Sequence, residues 1–145
     1  MIPRFDTAPL PGCRYVLRPG VYALLPRDGR VLLTHQAEPD PEVQLPGGGI
    51  DPGESSLPAL FREVREETGW TIAAPRRLGA FRRFTYMPEY GLHAEKLCTV
   101  YVARPVRQLG PPAEAGHTAL WLPASAVAEA LANPGDRAFA ARYLR

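Results

Sequence analysis

The chain has 145 residues, of which 46% are hydrophobic and 22% charged, and a formal net charge of +2. That length suits one domain (1–145) able to bury about two-thirds of its unfolded surface, and so small a charge gives no argument for nucleic-acid or membrane binding. No signal-like start and no apolar run of membrane-spanning length is visible, so a cytoplasmic protein is expected.

Cys13 and Cys98 are the only cysteines. They make no disulfide framework, and no Cys/His spacing suits a metal. Lys96 is the only lysine among 17 basic residues, and there are 17 prolines. This composition suits a GC-rich bacterial genome.

In chain order, residues 1–17 carry Pro3, Pro9 and Pro11 and are expected to form an extended arm. Val21 to Pro26 and Val31 to His35 are β-rich runs around Arg27-Asp28-Gly29-Arg30, a hairpin signal. Val43 to Leu45 is a short strand feeding the loop Leu45-Pro46-Gly47-Gly48-Gly49, whose glycines let backbone approach a ligand or turn the chain.

Leu57, Leu60, Phe61, Val64 and Thr68 then recur at one-face helical spacing. Ser55 or Ser56 can cap the start, Pro58 fits the first turn and Gly69 suits a left-handed end, so a helix is predicted over about 56–68. Segments 71–74, 78–86 and 97–103 read as strands, with a loop from Pro88 to Ala94. Leu120 to Leu122 is a last strand. Pro123 to Leu131 and Asp136 to Leu144 read as helices separated by Asn133-Pro134-Gly135. The order predicts an α/β fold with a mixed sheet between helices.

The predicted helix 56–68 carries Glu63, Glu66 and Glu67 within about 100° of arc. Like charges at i,i+3 and i,i+4 cost a helix roughly 0.2–0.5 kcal/mol per pair. Arg62, four residues before Glu66, can offset one such pair. A divalent cation would turn the whole cluster favourable, because clustered carboxylate oxygens are the hard ligands that Mg2+ takes. The plain alternative is a solvated acidic face.

Gly48, Glu54, Arg62, Glu63, Val64, Glu66, Glu67, Gly69 and Trp70 fall at every position of G-x5-E-x7-R-E-U-x-E-E-x-G-U, where U is bulky and apolar. This resembles the signature box of the Nudix hydrolases, and the likeness covers roughly residues 18–145. The resemblance implies an α/β/α sandwich. It also implies Mg2+- or Mn2+-dependent attack of water on phosphorus in a nucleoside diphosphate joined to another group. Glu63, Glu66 and Glu67 are then metal ligands, one of them also a base, and Arg62 orients a glutamate. Gly47 offers a backbone carbonyl to the metal, and Glu54 supports the site. Dimers are common in the family, so a homodimer is compatible with it.

Other candidates lie outside the box. Glu114, in the loop before the last strand, matches where many relatives place a further metal-binding or base glutamate. Its alternative is a solvated loop residue. His117 is either a phosphate contact or a structural histidine. Arg76, Arg77, Arg82 and Arg83 bracket Leu78 to Phe81, and arginine forks suit phosphates. Arg82 and Arg83, with Phe84 or Tyr86 as a stacking surface, are substrate-binding candidates. A solvated strand edge explains them as well, and Arg18 and Arg30 share that ambiguity. Tyr86 and Pro88 both fall in the zone that separates Nudix subgroups, so the marker names no substrate. Cys98 reads as a buried strand thiol. Two other functions remain open: a Nudix-like nucleotide-binding module without activity, and a pyrophosphohydrolase of RNA 5′ ends. The complete box argues against the first.

Overall fold

A computed structural model describes residues 1–144. The strands are β1 (Val16–Leu24), β2 (Pro26–Arg27), β3 (Arg30–Gln36), β4 (Glu42–Gln44), β5 (Gly47–Gly49), β6 (Trp70–Met87), β7 (Leu92–Gln108) and β8 (His117–Pro123). The helices are α1 (Ser56–Thr68), α2 (Ala124–Ala130) and α3 (Pro134–Tyr143). No helix among these residues is long and apolar enough to cross a membrane.

The expected mixed sheet is present in the order β5-β1-β7-β6. β1 and β7 run parallel, and the other pairs are antiparallel. Beside it lies a second, wholly antiparallel sheet, in which β3 pairs with β2, β4 and β8.

Alternation along the strands builds two cores. Val21 and Ala23 of β1 and Leu32 of β3 pack with Ala59, Leu60 and Val64 of α1. Leu24, Val31 and Leu33 point the other way, towards Val127, Leu131 and Ala140 at the C-terminal helices. Helices therefore cover both faces of the strand layer, the α/β architecture expected.

Helix α1 begins and ends where predicted, and Gly69 closes it in a left-handed conformation, φ 79°. Two details differ. Ser55 is the N-cap residue but makes no side-chain cap. The buried stripe is Ala59, Leu60, Val64, Glu67 and Thr68, while Leu57 and Phe61 are exposed. The helix is rotated so that Glu67 faces inward.

Segments 71–74 and 78–86 join into one long strand, β6. It survives the interruption through irregularities at Ala73/Arg76 and Arg77/Gly79, with Ala74 at φ 52° just before Pro75. The loop expected over 88–94 is shorter, because Leu92, His93 and Ala94 pair with Met87, Tyr86 and Thr85. Hydrogen bonds to a partner strand outweigh the local turn composition. In the N-terminal arm, the amide of Phe5 donates to Arg82 O at 3.0 Å, and that of Arg82 to Pro3 O at 2.9 Å. Phe5 thereby reaches Phe81, edge to face at 5.6 Å.

Candidate active site

The glycine loop and α1 meet so closely that side chains have no room in the loop. A Cβ on Gly47 would overlap the Val21 carbonyl oxygen, and one on Gly48 would lie 2.6 Å from the Glu63 carboxyl carbon. Bare backbone here lets the carboxylates of α1 press against β5. The Gly47 N–H donates to Glu67 Oε1 at 3.0 Å, within the protein interior.

Arg62 is the hub of the opposite flank. Its Nε and Nη2 grip both oxygens of Glu54, at 2.7 and 2.8 Å. Its Nη1 donates to Glu63 at 3.0 Å and Glu66 at 3.1 Å, and its Nη2 to Gly49 O at 3.3 Å. One planar guanidinium thus sets two box glutamates and the loop relative to Glu54. Glu54 also accepts from the Asp51 amide at 3.0 Å, which closes the turn before the helix. The hydrogen bonds from Arg62, then that from Asp51, hold the Glu54 carboxyl down at about 2.

A second loop brings in residues from far along the chain. The amides of Ala113 and Glu114 both donate to Glu66 O at 2.9 Å, and the amide of Leu109 to Gly69 O at 2.8 Å. The end of α1 is capped this way. The clamp places Glu114 over the cluster. One oxygen or nitrogen each from Glu67, Glu114 and His117 lies within 4.8 Å of the others, and so do oxygens of Glu63, Glu66 and Glu114. His117 of β8 has its Nε2 3.6 Å from Glu67 and 3.8 Å from Glu114. Its Nδ1 is 2.9 Å from the Thr34 hydroxyl, which orients the ring.

So many carboxylates in a partly dry site are poorly compensated. Burial pushes Glu67 up to about 9, against the Gly47 amide and with help from Glu114 and Glu63. Burial also raises Glu63, although Arg62 opposes it. Arg62 cannot neutralise all of them, and Glu67 lies beyond its reach. The donors are hard oxygens with one imidazole, the set that divalent cations of the Mg2+ and Mn2+ type accept. The residues fit such an ion.

Two adjoining cavities open on this cluster. One, of about 670 Å3, is walled by Glu54 and Glu63 on one side and by Arg18, Met87 and Tyr90 on the other. The second, of about 280 Å3, holds Glu67, Glu114 and His117 together with Arg83 and Asp136. Tyr22, Gly49 and Lys96 line both.

A family model described as the NUDIX domain matches residues 15–143. The chain belongs to the Nudix family. It is 32% identical over 120 residues to an 8-oxo-(d)GTP phosphatase of Mycolicibacterium smegmatis, covering 83% of this chain and 35% of that protein. It is 44% identical over 68 residues to an RNA pyrophosphohydrolase of Halorhodospira halophila, covering 46% of this chain and 37% of that one. The chain spans half or less of the length of these curated relatives. Among solved structures, a NUDIX hydrolase from Nitrosomonas europaea superposes with a TM-score of 0.68 at 21% identity, over 88% of this chain and 87% of that one. A MutT NUDIX hydrolase from Burkholderia pseudomallei gives 0.66 at 24% identity, over 88% and 98%. These likenesses show a shared fold.

In this Nudix domain Glu63, Glu66, Glu67, Arg62 and Glu114 lie together, and Gly47 meets them through its N–H on Glu67. Of Arg82, Arg83 and Tyr86, only Arg83 lines the site, as Arg18 and His117 also do. Arg82 and Tyr86 alternate with it along β6 and stand on the other face. There Arg82 lies 3.5 Å from Glu95, and the exposed Tyr86 packs on His93 with ring centroids 5.0 Å apart. The strand's period of two decides this. Cys98 is 2% exposed and raised to about 12 by burial, an inert core thiol.

Sequence reasoning missed Lys96, Tyr22 and Asp136 altogether. Lys96 had one signal, as the chain's single lysine, but only its strand partners place it at the site. Nothing local marked Tyr22 or Asp136.

Proposed function

We propose that this domain is a divalent-cation-dependent pyrophosphohydrolase, which cleaves a nucleoside diphosphate linked to another group by attack of water on phosphorus. The observation that carries this is the clustering of Glu63 and Glu66, and of Glu67 and His117, around Glu114, with Glu63 on one of two adjoining cavities and Glu67 and Glu114 on the other. The names of the relatives, a phosphatase of 8-oxo-(d)GTP and a pyrophosphohydrolase of RNA, support the same reaction class. Free Cys13 and Cys98 suit a reducing, cytoplasmic setting.

Glu63, Glu66, Glu67 and Glu114, with the Gly47 backbone, would hold Mg2+ or Mn2+. Bound there, such an ion supplies charge neutralisation on phosphate oxygens and a lowered water pKa. The chain's own groups do the rest. Arg62 is a positioning residue: it fixes Glu63 and Glu66 before substrate arrives, so their order costs nothing at the reaction step. A carboxylate of the cluster accepts the proton of the attacking water. Arg83, rather than Arg82 or Tyr86, meets the substrate phosphates.

The test is turnover on a panel of nucleoside triphosphates, nucleotide sugars, dinucleoside polyphosphates and triphosphorylated RNA, with Mg2+ or Mn2+. Glu66→Gln and Glu67→Gln serve as controls. Metal-dependent release from one class, lost in both variants, supports the proposal. Binding without turnover would favour a nucleotide-binding module.

A further inference from the structure

The far wall of the site carries three cations in one row. Arg18 of β1 is the register partner of Lys96 of β7, and Lys96 is the register partner of Arg83 of β6. Register partners project on the same face of a sheet, and neighbouring strands lie about 4.8 Å apart, so the row spans about 10 Å. Like charges directly opposite one another across strands are destabilising. A fold that keeps three in a row, with the middle one half-buried, invites the question of what sits against them.

The flanking members are partly satisfied from outside. The Arg18 guanidinium lies over the Tyr90 ring at 4.8 Å, and Arg83 Nη2 is 3.2 Å from Asp6. The Nε of Arg83 is nevertheless buried with no hydrogen-bond partner. Lys96, in the middle, makes no ion pair among the described residues. Burial, and after it Arg83, hold its ammonium below the ordinary lysine value. Arg18 lines the larger cavity, Arg83 the smaller, and Lys96 both. The row therefore runs alongside the glutamates and across the point where the cavities join.

We propose that Arg18, Lys96 and Arg83 form a rail for a chain of at least three phosphates, and that this rail selects polyphosphate substrates over two-phosphate ones. The inference rests on the pyrophosphohydrolase reading and deepens it. A diphosphate held at the glutamates would reach only part of a 10 Å row. It would leave a desolvated cation without a partner, which is costly. A triphosphate or longer chain meets all three. A nucleoside triphosphate and a dinucleoside polyphosphate share that chemistry.

The test compares dinucleoside di-, tri- and tetraphosphates and a nucleoside triphosphate on wild type and Lys96→Gln, with Mg2+. Inorganic pyrophosphate and tripolyphosphate are titrated calorimetrically in parallel. Lys96→Gln is expected to raise KM about tenfold for chains of three or more phosphates, to raise it much less for the diphosphate, and to lower kcat less than it raises KM. Its Tm is expected to rise, because a half-buried charge beside two like charges is removed; a merely structural lysine would lower it. Tripolyphosphate should bind wild type more tightly than pyrophosphate, and Lys96→Gln should erase that preference. Equal binding of the two anions to wild type, or an equal loss on two- and three-phosphate substrates, would overturn the rail. If no nucleotide is turned over, the hydrolase reading fails, while the calorimetric preference still decides the rail. The diphosphate, triphosphate and nucleoside triphosphate arms separate the two substrate sources.

Discussion

The Gly47 amide donates a hydrogen bond of 3.0 Å to the Glu67 carboxylate, twenty residues away and inside the protein. This contact holds a carboxylate that burial drives to about 9. A folded pKa above the unfolded value of 4.5 means that stability is fully present below about 4.5 and is lost as pH rises through about 9. In metal-free buffer Tm should therefore fall across that window, and millimolar Mg2+ should restore it most at the alkaline end. Glu67→Gln should flatten the alkaline fall, lose most of the Mg2+-dependent gain and drop kcat by about 100-fold or more. An undiminished Mg2+ shift in the variant would refute the metal assignment. Thermal melts over pH 5–9 with and without Mg2+ measure this.

Gly48 has a steric role that a small substitution should expose. A Cβ there would sit 2.6–2.7 Å from the atoms of the Glu63 carboxylate. Gly48→Ala should cost about 1–3 kcal/mol through overpacking. It should also displace Glu63 and weaken metal affinity. Isothermal titration with Mn2+ and a denaturant melt separate the two effects. Unchanged Mn2+ affinity would show that Glu63 is not held by this contact.

Arg62→Lys keeps the charge but loses the fork that spans Glu54, Glu63 and Glu66. The expected result is a large loss in kcat with a modest change in Tm near neutral pH. Glu54 is held at about 2 by this arginine, so its contribution to stability is present above 4.5 and lost as pH falls through about 2. The stability gap between wild type and Arg62→Lys should accordingly close in that acid range. Acid titrations followed by circular dichroism would show it, and a gap that stayed constant would contradict the Glu54 pairing.

Asp136 lies in the first turn of α3, where a helix N-terminus favours an anion. Burial wins instead and raises it to about 7, against the Leu45 amide and Arg83. One of its oxygens has no partner. From its unfolded value of 3.8, stability is lost as pH climbs through about 7. Asp136→Asn should melt several degrees higher than wild type at pH 8, with the advantage vanishing near pH 4. A pH-independent difference would rule out Asp136 as the titrating group.

The chain alone determined whatever depends on near neighbours. The box spacing marked the family. Helical periodicity, Pro58 and Gly69 bounded α1 at Ser56–Thr68, and Arg27-Asp28-Gly29-Arg30 announced a hairpin, although its first arm is only Pro26–Arg27 and the run expected to supply it, Val21 to Leu24, pairs with β5 and β7 in the other sheet. These signals lie within a turn or two of the residues they place. Tertiary structure decided the rest. Which face of α1 is buried followed from packing against β1, β3 and β5, which turned Glu67 inward and left Leu57 and Phe61 outside. Glu114 reaches the cluster because a distant loop caps the end of α1, and His117 because β8 pairs with β3. Arg83 faces the site and Arg82 does not because of the register between β6 and β7. Arg18, Lys96 and Arg83 stand in line only because β1 pairs in parallel with a strand far along the chain. Strand register is set by burial over the whole sheet, and a slip of one residue would exchange the faces. No window of the sequence holds that information, so the chemistry of the box was legible and the wall that meets its substrate was not.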